Sequence, residues 1–466
     1  MWNLNSFKYN ILLIDEYGSK SSYEDLQCEC DKLFNIINKR SLVFNLCSNE
    51  KGSLLGYITF INNGIVPVML DIELNTDMLN DLLLNYKPDY LWVPKHISDN
   101  FKYEQIYSAW DYILLKTEYN REYALHDDLA LLLTTSGSTG SPKLVRQSYK
   151  NILANIKSII EYLELNETER PITTLPMNYT YGLSIINSHL FIGASIILTK
   201  KTLMQKEFWQ QFKDNEATSF GGVPYTYEML DKLRFLKMNL PSLRTMTQAG
   251  GKLSPELHKK FAEYAEQNGK RFFVMYGQTE ATARMSYLPY DKALEKYGSM
   301  GIAIPGGEFS LIDVDENIIK DSEIVGELVY KGDNVTMGYA EHGCDLSKGD
   351  EWGGTLITGD MAKRDADGFY YIAGRKKRFL KIFGSRVNLD ETERMIKASF
   401  QNIDCACGGV DDKMKVFITD QEYGSAITSF LSEKTGLNRA AFNVVAIKAI
   451  PRNESGKILY SELETN

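Results

Sequence analysis

Leu131-Leu132-Leu133-Thr134-Thr135-Ser136-Gly137-Ser138-Thr139-Gly140-Ser141-Pro142-Lys143-Leu144-Val145 is the stretch on which the reading of this chain turns. An apolar run opens it and reads as a buried strand. Six small or hydroxylated residues follow, Ser136 to Ser141, closed by Pro142 and Lys143. Glycines let a backbone bend sharply and approach a ligand closely, while hydroxyls and freed N–H groups donate to phosphate oxygens. Lys143 adds a compact positive charge. The stretch reads as a phosphate-cradling loop of an uncommon kind. The common P-loop needs Gly, four residues, then Gly-Lys-Ser/Thr, whereas Pro142 here separates the small residues from Lys143. A Ser/Gly linker is the competing reading; the preceding strand and the terminal lysine argue against it.

The chain has 466 residues, enough for two or three domains, with 44% hydrophobic and 24% charged residues, as in soluble globular proteins. Its net charge of −9 argues against a large nucleic-acid surface but leaves room for a local basic site for a nucleotide. The short apolar run Ile11 to Ile14 does not read as a signal peptide, and no uninterrupted apolar stretch reaches spanning length. Cys28, Cys30, Cys47, Cys344, Cys405 and Cys407 lack zinc-knuckle spacing and nearby histidines, so they read as reduced thiols. The expectation is a cytoplasmic enzyme with no nucleic-acid and no membrane partner.

Along the chain, Ser22 and Asp25 open a helix in capping-box style, and Leu26, Cys30, Leu33, Phe34 and Ile37 continue it at helical spacing. Strand-like runs at Ser41 to Leu46 and Gly64 to Leu70 alternate with helical patterns, which argues a parallel sheet with covered faces. Ser148 to Leu163 reads as an amphipathic helix. Gln248-Ala249-Gly250-Gly251-Lys252 is a tight glycine turn. The apolar strand Phe273 to Tyr276 ends in Tyr276-Gly277-Gln278-Thr279-Glu280. There an aromatic face can stack on a purine, a hydroxyl can bond a phosphate, and a carboxylate can hold Mg²⁺, which prefers oxygen ligands. Thr358-Gly359-Asp360 puts a carboxylate at a turn, where it suits adjacent ribose hydroxyls or simply forms the turn. Gly374 to Arg386 carries six cations within thirteen residues, a pattern that is ordinarily a solvated face.

These landmarks, in this order, resemble the adenylate-forming enzymes: acyl- and aryl-CoA synthetases, peptide-synthetase adenylation domains and luciferases. The likeness covers essentially the whole chain. It implies an α/β fold with a large N-terminal domain, 1–376, made of two α/β sheet subdomains plus a small β-subdomain around Gly298-Ser299-Met300-Gly301 and Gly326-Glu327-Leu328. A small mobile α+β C-terminal domain, 377–466, would hinge at Lys377. The resemblance implies nucleotide contacts from Thr135, Ser136, Gly137, Ser138, Thr139, Gly140 and Lys143, from the turn Gly250, Gly251 and Lys252, from Tyr276, Gly277 and Gln278, and from Asp360 and Arg375. Lys457, in Pro451-Arg452-Asn453-Glu454-Ser455-Gly456-Lys457, would be the catalytic lysine, with Thr279, Glu280 and Arg375 as further catalytic groups and Glu280 the Mg²⁺ ligand. In Leu175-Pro176-Met177-Asn178-Tyr179-Thr180-Tyr181-Gly182-Leu183, Tyr179 takes the gate position, and Tyr179, Thr180, Tyr181, Gly222, Gln248 and Ala249 would line the acid pocket. Arg386 is a weaker phosphate candidate, and Gly384 matches the glycine beside the pantetheine tunnel.

The implied activity is ATP-dependent conversion of a carboxylic acid to an acyl-adenylate with release of pyrophosphate, then transfer to a thiol. That thiol would be coenzyme A or, alternatively, the phosphopantetheine of an acyl or peptidyl carrier protein. A luciferase-type oxygenase and a silent nucleotide-binding member are further alternatives. Leu144, Ser148, Lys252 and Arg378 depart from common family residues without removing a catalytic group. Thr180 stands where amino-acid-activating relatives carry an Asp for the substrate ammonium. Leaving that ammonium buried without a carboxylate would cost roughly 3 to 5 kcal/mol, which favours an acid without an α-amine; the polarity of Tyr179, Tyr181 and Gln248 suits a small or functionalised acid at least as well as a long fatty acid.

Overall fold

The structure is a computed structural model and describes residues 1–134, 143–382, 385–400, 403–410, 412–452 and 458–463. Thr135, Ser136, Gly137, Ser138, Thr139, Gly140, Gly384 and Lys457 therefore lie outside the described residues, as do the side chains of Lys377 and Arg386. Packing divides the chain into two compact units, Met1–Glu308 with Tyr330–Leu356, and Phe309–Val329 with Ile357–Asn466.

In the first unit the Leu129–Thr134 strand is an inner strand of an eight-stranded sheet. Val66–Asp71, Leu42–Cys47 and Tyr90–Pro94 continue the sheet in parallel on one side. Successive residues alternate between two buried layers. Val43, Met69, Leu131 and Leu133 face one core with Leu26, Ile58 and Ile156, while Phe44, Val68 and Leu132 face another with Leu79 and Leu82. Both faces are thus covered by helices, which is why these strands read as nearly continuous apolar runs.

The sheet is not wholly parallel, as the strand–helix alternation alone suggested. Leu144–Ser148 runs antiparallel to Leu129–Thr134, Tyr339–Ala340 antiparallel to Leu144–Ser148, and Tyr112–Lys116 antiparallel to Tyr90–Pro94. For the first pair connection length is the physical reason. A parallel neighbour needs a crossover of a dozen or more residues, and only residues 135–143 separate Leu129–Thr134 from Leu144–Ser148. The Ser136–Lys143 stretch therefore connects two antiparallel strands rather than a strand and a helix.

A second, five-stranded sheet places Ser219–Gly222, Thr245–Gln248 and Arg271–Tyr276 in parallel, with Gly222, Gln248 and Val274 in register. Between the sheets runs the helix Tyr149–Leu163, capped by Ser148, whose hydroxyl accepts from the Asn151 N–H while Asn151 returns a bond to the Ser148 N–H. The helix Thr180–Phe191 packs beside it through Leu183, Ile186 and Leu190. In the second unit, a sheet formed largely by Gly326–Gly332, Thr355–Arg364 and Tyr370–Arg375 precedes a hairpin, Phe379–Ile382 with Ser385–Asn388. A three-stranded sheet, Cys405–Val410, Lys413–Ile418 and Phe442–Ala446, then packs against the helices Leu389–Ser399 and Gly424–Thr435. All six cysteines are free thiols. Among the described residues no helix is long and apolar enough to cross a membrane.

Arg146 ties the edge of the large sheet together. Its side chain is fully buried. The guanidinium donates to the carbonyls of Met337, Tyr339, Lys348 and Gly349 at 2.7 to 3.1 Å, and it pairs with Glu351. Those bonds fix the course of 337–351, including Tyr339. Arg146→Met removes every one of these donors at once. It is expected to lower unfolding stability by about 3 kcal/mol or more in urea titration; a loss under 1 kcal/mol would show that 337–351 holds its path unaided.

Candidate nucleotide and acid site

The C-terminal ends of parallel strands are where open α/β sheets collect ligands, and the sequence landmarks of the first unit gather there. Arg271–Tyr276 is buried from Phe272 to Met275, then the chain emerges, and Tyr276, Gly277, Gln278, Thr279 and Glu280 are all partly exposed. Gly277 is required by close approach, since a Cβ there would lie 1.6 Å from the Ala283 carbonyl oxygen. Gln278 donates to the Tyr276 hydroxyl at 3.0 Å, orienting the ring. Thr279 and Glu280 form a short 3₁₀ turn that leaves through positive φ at Thr282 and Ala283.

Three asparagines hold that turn. Asn334 donates to the carbonyls of Ala281 and Arg284 at 2.9 Å each. Asn155 also reaches Arg284 O, at 3.0 Å, and Asn151 grips the Asp333 and Val335 carbonyls on either side of Asn334. Buried carbonyls need such donors. The sequence signal was present, because Asn151 and Asn155 sit at i and i+4 on the apolar face of their helix, beside Ile152 and Ile156.

The carboxylate of Glu280 accepts from the Tyr339 hydroxyl at 2.8 Å. Lys143 lies over the same tyrosine ring, 5.4 Å from its centre, and pairs with Glu341 at 2.7 Å. Burial and the Glu280 charge push the Tyr339 phenol well above its ordinary range, so it stays a donor. Lys143 and Glu341 are exposed, and an exposed ion pair is weak and readily exchanged for a phosphate. Tyr339, noted in the sequence beside Gly338 but given no role there, thus brings the cation that ends one landmark beside the carboxylate that ends another.

Gly250 adopts φ +82°, and a Cβ there would lie 2.6 Å from the Tyr179 hydroxyl. The glycine turn and the gate tyrosine therefore abut. Gly251 and Lys252 are exposed, while Gln248 and Ala249 are buried. Gln248 donates to the Gly251 carbonyl at 2.9 Å and braces the turn, and its Oε1 is buried with no partner among the described residues. Tyr179 caps the helix that begins at Thr180. Asn178 beside it donates to Asp71 at 3.2 Å, at the end of the strand that neighbours Leu129–Thr134. Tyr181 is buried, its hydroxyl 2.8 Å from that of Thr247, and a Cβ on Gly222 would strike Thr226 and Tyr227. Tyr179, Thr180, Tyr181, Gly222, Gln248 and Ala249 therefore lie around one region of the first unit.

In the second unit Asp360 is not at a turn. It lies within the strand Thr355–Arg364, where Gly359 at φ +71° kinks the chain, and it pairs in register with Arg375. Their side chains stand 3.7 Å apart, Asp360 buried and Arg375 exposed. This register explains the spacing between the two landmarks. Lys377 falls in the 3₁₀ turn Lys376–Arg378. Lys376 is tied back to Glu327 at 2.7 Å, whereas Arg378 is tied forward to Asp390 at 2.9 Å and Glu393 at 2.6 Å, with the Tyr460 ring against it. Arg378, a departure from the common family residue, is thus a forward anchor.

Among the described residues no group of three His, Cys, Asp or Glu is placed to hold a metal alone. Glu280 offers a single, partly exposed carboxylate, a donor that would suit Mg²⁺ held through one carboxylate, nucleotide phosphates and water.

The α/β fold brings an aromatic, a hydroxyl and a carboxylate to one emerging strand end, residue types that suit a nucleotide. A family model described as AMP-binding enzyme matches residues 12–340, and the chain belongs to that family. The peroxisomal OPC-8:0-CoA ligase 1 of Arabidopsis thaliana is 28% identical over 357 residues, 74% of this chain and 65% of that one. The first curated relatives are matched over about 61 to 65% of their length. Among solved structures, o-succinylbenzoate CoA synthetase from Bacillus subtilis, in complex with its acyl-adenylate intermediate, superposes with TM-score 0.79 at 21% identity, over 100% of this chain and 98% of that one. A peptide-synthetase adenylation and carrier-protein pair complexed with phenylalanyl-adenylate gives 0.77 at 18% identity, over 100% and 83%. These structures share the fold.

Because Gly250 must take positive φ and abuts Tyr179, Gly250→Ala is expected to weaken AMP binding tenfold or more, about 1.4 kcal/mol, by calorimetry. Unchanged affinity would show that the turn does not meet the base.

Proposed function

We propose that the protein activates a carboxylic acid with ATP and passes the acyl group to a thiol, most simply coenzyme A. The observation that carries this reading is the Lys143–Tyr339–Glu280 assembly, which joins a phosphate-type cation to a metal-type carboxylate from distant parts of the chain. Relatives named as CoA ligases support the acceptor. The adenylation and carrier-protein neighbour supports a pantetheine thiol as the alternative.

A carboxylate is a poor electrophile. Its oxygen attacks the α-phosphorus of ATP, the bond to the β-phosphate oxygen breaks, and pyrophosphate leaves with that electron pair. The thiol sulfur then attacks the acyl carbon and AMP departs. The first step brings two anions together, so positive charge must stand where negative charge develops. Mg²⁺ on Glu280 would supply part of it as a Lewis acid. In this reading Lys143, with Thr135, Ser136, Gly137, Ser138, Thr139 and Gly140, positions the β- and γ-phosphates, and Lys457 meets the developing charge. Tyr276 stacks on adenine, Gly250 to Lys252 receive its edge, Gln278 orients Tyr276, and Thr279 bonds a phosphate. Asp360 holds the ribose, with Arg375 beside it. The acid lies among Tyr179, Thr180, Tyr181, Gly222, Gln248 and Ala249. With Thr180 in place of an acidic residue, that pocket suits an acid without an α-amine.

Pyrophosphate release across a panel of carboxylic acids, with and without coenzyme A, tests the reading; no release with any acid would defeat it. Lys457→Ala should abolish adenylate formation while sparing thioester formation from supplied acyl-adenylate. Equal loss in both halves would sink the role given to Lys457.

The proposed division at 376/377 rests on the opposed anchoring of Lys376 and Arg378. A single backbone change at Lys377 would leave both anchors intact. Lys377→Pro fixes φ near −65° and removes a donor. Adenylation is expected to persist and thioester formation to fall at least a hundredfold, measured as separate half-reactions. Full retention of the second would place the hinge elsewhere.

A further inference from the structure

Arg284 is 1% exposed, and among the described residues no carboxylate lies within ion-pair distance of it. Its Nε donates to Ser184 Oγ at 3.1 Å and its Nη1 to the Tyr162 hydroxyl at 3.0 Å, with Met275 Sδ also against Nη1. The Tyr181 ring lies 4.5 Å from the guanidinium carbon. Every one of these neighbours is neutral. Buried charges are ordinarily paired, because desolvation of a lone ion is costly. The contrast within this unit is direct, since the equally buried Arg146 has both carbonyls and Glu351.

Arg284 also lines a small cavity of about 20 Å³ with Thr247, Ile185, Ser188 and His189, room for one water or one ligand oxygen. His189, itself buried, lines it too. Nδ1 is 2.7 Å from the Ile185 carbonyl, and Nε2 is buried with no hydrogen-bond partner among the described residues. Burial pushes this imidazole down to about 4, so it is neutral near pH 7 and supplies no negative charge. Thr247 and Tyr181, which bound the cavity and the guanidinium, are the hydrogen-bonded pair that also walls the acid region. Ser184 and Tyr181 belong to the helix that begins at Thr180.

We propose that Arg284 is the counter-ion for a second carboxylate at the far end of the substrate, so that the protein activates a dicarboxylic acid. This rests on the acid-activation reading and names its substrate class. Nε and Nη1 already donate to Ser184 and Tyr162, so Nη2 is the nitrogen that would meet the carboxylate, through one oxygen in the cavity. Arg284 follows Glu280 by only four residues, and such a segment spans at most about 14 Å fully extended. That bound applies to the Cα atoms of the metal-type carboxylate and the guanidinium, and an acid whose reacting end lies near Glu280 would be a compact diacid rather than a long chain.

The test pairs acids of equal length, succinate with butanoate and adipate with hexanoate. Pyrophosphate release by the wild-type protein should favour at least one diacid over its monoacid tenfold or more in kcat/KM. Arg284→Met should erase that ratio, and Arg284→Lys, which keeps the charge but not the fork, should keep part of it. Without ligand, Arg284→Met should melt no lower than wild type, and the preferred diacid should raise the melting temperature of wild type alone. Preference for the monoacid in both pairs, or a ratio unchanged in Arg284→Met, overturns the proposal. If no acid of either kind releases pyrophosphate, acid activation itself falls and the melting data decide Arg284. A Met variant that melts lower and a wild type that ignores diacids would assign it to structure alone.

Discussion

The hydrogen bond from Tyr339 to Glu280, at 2.8 Å, is the contact on which the arrangement of the first unit depends. Tyr339 belongs to the edge strand of the eight-stranded sheet, and Glu280 follows the last parallel strand of the five-stranded one. The two sheets carry different landmarks, and this bond fixes one set against the other. A hydroxyl bonded to a carboxylate is stronger than a neutral pair, yet it leaves the carboxylate room for further partners. The path of Tyr339 is in turn set by Arg146, so a fully buried guanidinium beneath the sheet edge determines where a half-exposed carboxylate points.

Much of this was legible in the chain. The Ser22 and Ser148 caps, the apolar strands and the emerging Tyr276–Glu280 segment follow from local chemistry, because each depends on neighbours in sequence. Asp360 was misplaced for the opposite reason. Thr-Gly-Asp reads as a turn, but the partner that makes it a strand is Arg375, and register across a sheet is not a local property. The parallel strands came as the alternation implied, whereas the antiparallel edges did not show, since which strands become neighbours is settled across the fold.

The residues least visible in sequence are ordinary ones given importance by long-range contacts. Arg146 and Asn334 belong to no motif, Tyr339 carried no role in sequence, and the partners of all three lie far along the chain. Asn151 and Asn155 were detectable in principle, since polar residues on an apolar helix face must find buried partners. Their partners, the carbonyls around Asp333 and Arg284, emerge only from the folded chain.

The spelling of the Tyr-Gly-x-Thr-Glu segment then acquires a mechanical reason. The turn must carry the chain from a partly exposed Glu280 to a buried Arg284 within four residues, and it does so by reversing tightly enough that position 277 admits no side chain. Thr282 at φ 59° and Ala283 at φ 123° absorb the reversal, in conformations that cost about 1 to 3 kcal/mol each. Strain of that size persists only where surroundings over-determine it. Asn334 and Asn155 supply the bonds, and the Thr282 hydroxyl adds another to the Asn334 carbonyl at 2.7 Å. The same bracing that holds the carboxylate at the surface therefore also fixes the buried guanidinium. A change in the turn would displace the two charges together, which couples the position of the metal-type ligand to that of the proposed specificity residue.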